Sequence, residues 1–245
     1  MNALLTLHFN VRGDLLEAAR QCEEDVFLQA FGNTRAQLEE EYGPYNDQSV
    51  FVAVADDSGH VLGSCRLITP GPAGLKTLND VSREPWGVNG LRSAAAASVD
   101  PAKTWDVGTL GVRKDVRGGK MAISMALYHA LVIATRVNEV SSITAILDEQ
   151  ARRVLGMAEF VMPALPGTRA GEYLGSPSST PVYGHPAAMI DAQRRMNPDA
   201  YRLMSLGIGL DGISVPEESA FVLRPRLTPV PAVASALQVM PVAAA

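Results

Sequence analysis

Thr104-Trp105-Asp106-Val107-Gly108-Thr109-Leu110-Gly111-Val112-Arg113-Lys114-Asp115-Val116-Arg117-Gly118-Gly119-Lys120-Met121-Ala122 decides the fold of this 245-residue chain. Its first half predicts a strand. Trp105, Val107, Thr109 and Gly111 alternate with Asp106, Gly108, Leu110 and Val112, as a half-buried strand requires. The second half predicts a short basic loop, then an apolar helix running to about Val137. Gly118 and Gly119 have no side chains, so backbone N–H groups there can approach a ligand closely. The helix start adds unpaired donors and a positive dipole end, and Arg113, Arg117 and Lys120 add full charge. Together these features predict an anion site suited to a pyrophosphate or a phosphopantetheine phosphate. The competing reading is an ordinary strand–turn–helix connection whose glycines serve only the turn.

Working outward, Met1–Phe9 reads as a first strand, and Asp14 as the cap of a helix carrying Leu15, Leu16, Ala19, Cys22, Val26 and Phe27 at helical spacing. Phe27, Phe31 and Leu38 continue this apolar face through a second short helix. Ser49–Ala55 and His60–Ile68 form a hairpin around the turn Asp56-Asp57-Ser58-Gly59. Arg66, charged and near the end of a core strand, needs a partner or a function, unless that strand lies at an edge. Thr69–Ala97 is a long Pro/Gly/Ala-rich connection, of the length that usually carries function. Ser142–Leu147 is a strand, Asp148 a helix cap and Glu149–Ala158 a helix. Tyr173–Tyr183 is a strand pair or bulged strand interrupted at Gly175–Ser179, and Pro186–Gly209 a helix whose Met189, Met196, Leu203 and Met204 read as core filler, with an acyl-recognition surface as the alternative. One domain over 1–215 and a Pro/Ala-rich tail over 216–245 complete the expected layout.

Composition narrows the function classes. A net charge of −5 argues against a general nucleic-acid binder. The run Met121–Val137 is broken by Ser124, His129 and Arg136, which predicts no membrane span. Cys22 and Cys65 offer neither metal spacing nor a disulfide framework, and His8, His60 and His129 form no cluster, so no metal is expected. Met1–Asn10 lacks a basic region and a small-residue cleavage site, so the expected compartment is the cytoplasm.

Leu110-x-Val112-x-x-x-Val116-Arg117-Gly118-x-x-x-Ala122 resembles the acyl-CoA-binding motif of the GNAT N-acyltransferase superfamily, with Lys120 where a glycine is usual. The order Tyr42, Phe51–Val54, Gly63, Arg66-Leu67-Ile68-Thr69-Pro70, Leu78–Val81, Trp105-Asp106 and Arg113 is similar to one branch, the acyl-homoserine-lactone and N-acyl amino acid synthases. The likeness spans roughly Asp14 to Tyr183. It implies a three-layer α/β/α fold whose mixed, mostly antiparallel sheet is splayed between strands 4 and 5. It also implies acyl-CoA or acyl carrier protein as co-substrate, with no permanently bound cofactor. Three departures from the lactone synthases leave the acceptor open: Thr109 and Glu23 stand at arginine positions, and Gly108 at a Ser or Thr position. Val154 and Leu155 lie where many acetyltransferases carry a tyrosine acid.

Acyl transfer needs a held donor, a polarised carbonyl and an acceptor amine that loses a proton. The expected donor site is Leu110, Gly111, Val112, Arg113, Arg117, Gly118, Gly119, Lys120, Met121 and Ala122, and strand N–H groups near Leu110–Val112 polarise the carbonyl. Asp106 is the candidate base, with a strand-end cap as the alternative. Arg66, Trp105, Ile123 and Ile146 are expected to contact substrate, with Met125 and Leu127 beside them in an acyl pocket. The expected activity is acyl transfer to a small amine such as an amino acid. The alternatives are acetyl transfer from acetyl-CoA and an acyl-CoA sensor without turnover.

Overall fold

The computed structural model describes residues 4–116 and 119–223. Arg117, Gly118 and the expected tail beyond 223 lie outside the described residues. The elements in chain order are β1 (Leu5–Phe9), α1 (Gly13–Phe31), α2 (Arg35–Tyr42), β2 (Ser49–Ala55), β3 (Val61–Ile68), α3 (Lys76–Asp80) and α4 (Gly90–Ala96). They continue with β4 (Thr104–Val112), α5 (Lys120–Val137), β5 (Ser142–Asp148), α6 (Glu149–Met157), β6 (Gly171–Tyr173), β7 (Ser176–Gly184), α7 (Pro186–Met196) and β8 (Ile213–Ser214).

The eight strands form one mixed sheet in the order β6-β7-β5-β4-β3-β2-β1-β8, parallel only at β4/β5 and β1/β8. Helices cover both faces. A Cβ added at Gly111 would meet Val26 of α1, whereas one added at Gly63 would meet Ile123 of α5. The main core lies between the sheet and α5, where Ile123, Ala126, Leu127 and Ala130 meet Val52, Val54, Cys65 and Leu67. By length and hydropathy α5 could cross a membrane, which the sequence reading excluded. In the fold it is the central core helix, and 56% of it is buried.

Two irregularities in β4 shape everything that follows. Arg66 pairs with Thr109 but Leu67 pairs with Val107, so Gly108 is an extra residue in β4, a bulge. The alternation expected from sequence fails there. Thr109 turns to the face of Asp106 and reaches Glu23 of α1, while Asp106 reaches Thr77 of α3. Glycine suits the bulge because a Cβ at 108 would press on the Tyr42 ring at 3.0 Å. The second irregularity is that β4 pairs with β5 at only three positions, ending at Asp106↔Thr144. Beyond them the two strands part, as expected.

Other expectations shift. Arg12, not Asp14, is the N-cap of α1; Asp14 sits in the first turn, where its charge suits the helix dipole. That helix runs unbroken through Phe27 to Phe31 and ends at Gly32, whose φ of 74° closes it. The expected helix over 186–209 is interrupted after Met196, because Pro198 lacks an N–H and biases Asn197 (φ −141°, ψ 76°) away from helix; helical turns resume over Pro198–Ala200 and Tyr201–Ser205. The break near 175 is a turn at Leu174-Gly175, and Ser176–Ser179 belong to β7. Nor does the packed domain end at 215. Phe221 is buried against Phe9, with ring centroids 5.1 Å apart, and Asn138 hydrogen-bonds the Phe221 carbonyl and the Leu223 N–H.

Candidate functional site

Where β4 and β5 separate, the sheet opens into a cavity of about 290 Å³. On the α1/α2 face its wall is Val26, Phe27, Phe31, Tyr42, Thr109 and Tyr173; on the α5 face it is Tyr128, Leu131, Val132, Leu155, Met189 and Met204. Val107–Leu110 of β4 and Ile143 and Ala145–Asp148 of β5 form the two edges between them. The lining is overwhelmingly apolar, and such a cleft with a few placed polar groups is the usual form of a small-molecule site. Met189 and Met204 are therefore cavity wall as well as core.

Behind the aromatic wall lies a buried polar shell. Arg66, which is on an inner strand, makes a two-pronged ion pair with Glu23 (Nε to Oε1 3.0 Å, Nη2 to Oε2 2.6 Å) and donates a third bond to Asn46 Oδ1. Its guanidinium stacks on Tyr42 and Phe51, at 4.7 and 4.6 Å from the ring centres. Thr109 Oγ1 donates to Glu23 Oε1 at 2.5 Å. Lys76 is likewise buried, and Nζ donates to Glu41 (2.6 Å), Asp80 (2.6 Å) and the Tyr173 hydroxyl (3.0 Å). Tyr173 donates in turn to Asp80 Oδ2, and Tyr42 donates to the Gly108 carbonyl at the bulge.

The structure gathers only some of the residues singled out by sequence. Leu110 and Ile146 line the cavity. Trp105 lies in the core and is not among the lining residues; Ile123 packs on Gly63, and Met125 and Leu127 are also core. The wall of α5 is instead its 128–135 stretch. Arg66 is held behind the wall by Glu23. Gly111 packs on Val26 and Val112 approaches Gly63. Arg113 is turned inward, donating from Nε to the Val61 carbonyl and pairing with Asp25 of α1. Gly119, with φ of 74°, opens α5 without a side-chain cap. Lys120 Nζ folds back on the Lys114 carbonyl, Met121 is exposed and Ala122 is half-buried. Arg117 and Gly118 lie outside the described residues. Among those described, no group of His, Cys, Asp and Glu could hold a metal ion.

Asp106 does not line the cavity. Its carboxylate accepts from Thr77 N (2.5 Å) and Thr77 Oγ1 (2.8 Å), so it caps the start of α3 from within the sheet. Burial pushes its carboxyl up to about 7, opposed by the two Thr77 bonds. The unfolded chain sheds this proton near 3.8. Between those values the native state binds more protons than the unfolded state, so this group's contribution to stability is complete below about pH 4. It is lost as pH rises to 7, at no more than about 1.4 kcal/mol per pH unit. Asp106→Asn should flatten the fall in urea midpoint across this window. An unchanged profile would place the titration elsewhere.

Sequence reasoning passed over Tyr42, Tyr173, Lys76 and Thr77 as site components. A signal existed for Lys76 and Asp80, an i,i+4 opposite-charge pair inside the otherwise uncharged stretch from Thr69 to Ser82. For Glu23, its spacing of four from Phe27 put both on one side of α1. Nothing local marked Tyr173, which reaches the cluster from 97 residues away.

No protein-family model matches the chain, and no curated protein matches it in sequence. Solved structures do match in fold. One is a CoA-dependent acyl-homoserine lactone synthase, BjaI, solved with SAM and isopentyl-CoA: 17% identity, 90% of this chain and 97% of that one covered, TM-score 0.57. Another is FeeM, an N-acyl amino acid synthase from uncultured soil microbes: 9% identity, 78% and 95% covered, TM-score 0.58. The BjaI structure with MTA gives 16% identity and a TM-score of 0.55. The chain has a GNAT-like fold.

Proposed function

We propose that the protein is an N-acyltransferase that moves an acyl group from a CoA or carrier-protein thioester to the amine of a small molecule. The observation that carries this reading is the apolar cavity opened by the parting of β4 and β5, bounded on one edge by Val107–Leu110 of the strand that leads towards α5. The first intrahelical bond of α5 runs from Ile123 N to Gly119 O, so the N–H groups of Lys120, Met121 and Ala122 have no partner within the helix. They and the helix dipole would hold the donor's phosphate, with Lys120 adding charge. Arg113, committed to Asp25 and Val61, holds α1 against β3 instead.

Past Asp106 the cavity edge of β4 has no strand beside it, so backbone N–H groups of the bulged segment 107–110 are suited to polarise the thioester carbonyl. The amine nitrogen attacks that carbon. The C–N bond forms, the C–S bond breaks, the sulfur leaves as thiolate, and the proton lost by the nitrogen passes to solvent water. A thiol pKa of about 8.5 makes thiolate a tolerable leaving group without a dedicated acid. Asp106, bound on both oxygens by Thr77, acts here as a positioning residue for α3 rather than as the base. That same observation favours the second reading, an acyl-CoA sensor without turnover.

Thiol release from decanoyl-CoA, with and without amines, separates the two. Catalysis requires release that depends on amine, with an amide as product. In the same assay Lys120→Ala should raise the KM for acyl-CoA several-fold, by an amount that shrinks with added salt. Tight acyl-CoA binding with no amide from any amine would leave the sensor.

A further inference from the structure

Resting on the acyltransferase reading, the polar shell identifies the chemistry of the acceptor. We propose that the acceptor is an amine with an apolar or aromatic body and no carboxylate, rather than an amino acid.

Among the described residues, no Lys or Arg lines the cavity. The two cations closest behind its aromatic wall, Arg66 and Lys76, are already neutralised. Lys76 has three N–H donors, and all three are taken, by Glu41, Asp80 and Tyr173. Arg66 commits Nε and Nη2 to Glu23 and Nη1 to Asn46. Both are almost fully buried, with side chains 3% and 5% exposed, so neither can swing out to a ligand without breaking a buried ion pair. An acceptor's carboxylate entering this cavity would lose water and gain no counter-ion from the described side chains that line it.

The hydroxyls beside the bulge carry the same message in hydrogen bonds. Thr109 gives its proton to Glu23, Tyr42 to the Gly108 carbonyl and Tyr173 to Asp80. With their protons directed into the protein, what these groups have left to offer are oxygen lone pairs. A carboxylate is an acceptor only and gains nothing from them, whereas an amine or ammonium is a donor and does. Charge agrees: the Lys76 cluster holds two carboxylates against one ammonium, and among the described lining residues the charged side chain is Asp148. Phe27, Phe31, Tyr42 and Tyr173 supply an aromatic surface for the body of the acceptor.

The test compares phenethylamine, L-phenylalanine and L-phenylalanine methyl ester as acceptors for decanoyl-CoA, with the amide read by mass spectrometry. The ester keeps the bulk of the carboxyl group and removes its charge. Phenethylamine and the ester should both exceed phenylalanine at least tenfold in kcat/KM. Two results would overturn the proposal: phenylalanine acylated as well as phenethylamine, or an ester as poor as phenylalanine, which would make size the discriminator. Acylation of amino acids would overturn the acceptor class and leave the acyltransferase reading standing. Absence of any amide from these and other amines would overturn both. Because the comparison uses the unaltered protein, no outcome depends on whether a variant folds.

Discussion

Replacing Glu23 by alanine should cost about 3–5 kcal/mol of stability, read as a lower urea midpoint with an unchanged slope. The cost follows from what is left behind. Glu23 and Arg66 have side chains 2% and 5% exposed, and removing the carboxylate strands a guanidinium between Tyr42, Phe51 and β4 with only Asn46 as a polar partner. The exposed Glu149–Arg153 pair is the control. With both side chains more than two-thirds exposed, its removal should cost less than about 1 kcal/mol. If the loss at 23 comes from an uncompensated charge, Glu23→Ala combined with Arg66→Met should recover a good part of it. A double variant no better than the single would instead assign the loss to packing at α1. Loss of Glu23 also frees the Thr109 hydroxyl proton, so on the proposed acceptor reading the same substitution should raise the activity of phenylalanine relative to phenethylamine.

The fold was legible where a single element carried its own pattern. The strand over 105–112, the helix to Val137 and the hairpin over 49–68 all stand where the periodicity put them. The splay was reached through the resemblance rather than through any local pattern, because parting of strands is a property of pairing. The bulge at Gly108 escaped for the same reason: the alternation through Val112 looks regular until the register with β3 inserts one residue. That one residue decides the site. It sends Thr109 to the face of Glu23 and off the face that Trp105 and Val107 share. The α5 wall was misplaced by one to two turns, since Ile123 packs on Gly63 of β3 and Leu127 is core, while Tyr128, Leu131, Val132 and Thr135 face the gap. The buried pairs Glu23–Arg66 and Glu41–Lys76 join residues 43 and 35 positions apart, beyond the reach of any window read along the chain.

Binding of acyl-CoA should strengthen with chain length from acetyl through hexanoyl to decanoyl, by about 0.8 kcal/mol, or roughly fourfold in Kd, for each methylene buried. The cavity supports this because it does not end at the expected thioester position. It continues past β5 to Leu155, Met189 and Met204, side chains that offer a tail only apolar contact. The rise should stop once the tail fills the space, since a close-packed wall admits no further methylene without strain. Val132, on the α5 side of the cavity, gives a local check. Val132→Phe should weaken decanoyl-CoA by at least tenfold and leave acetyl-CoA nearly unchanged, because the shorter chain never reaches it. Calorimetry on the wild type and this variant decides between an open acyl pocket and an acetyl site. A flat or falling series in the wild type would defeat the long-chain reading. Equal weakening of acetyl- and decanoyl-CoA by Val132→Phe would mean that the substitution disturbs the fold of the cavity rather than its depth.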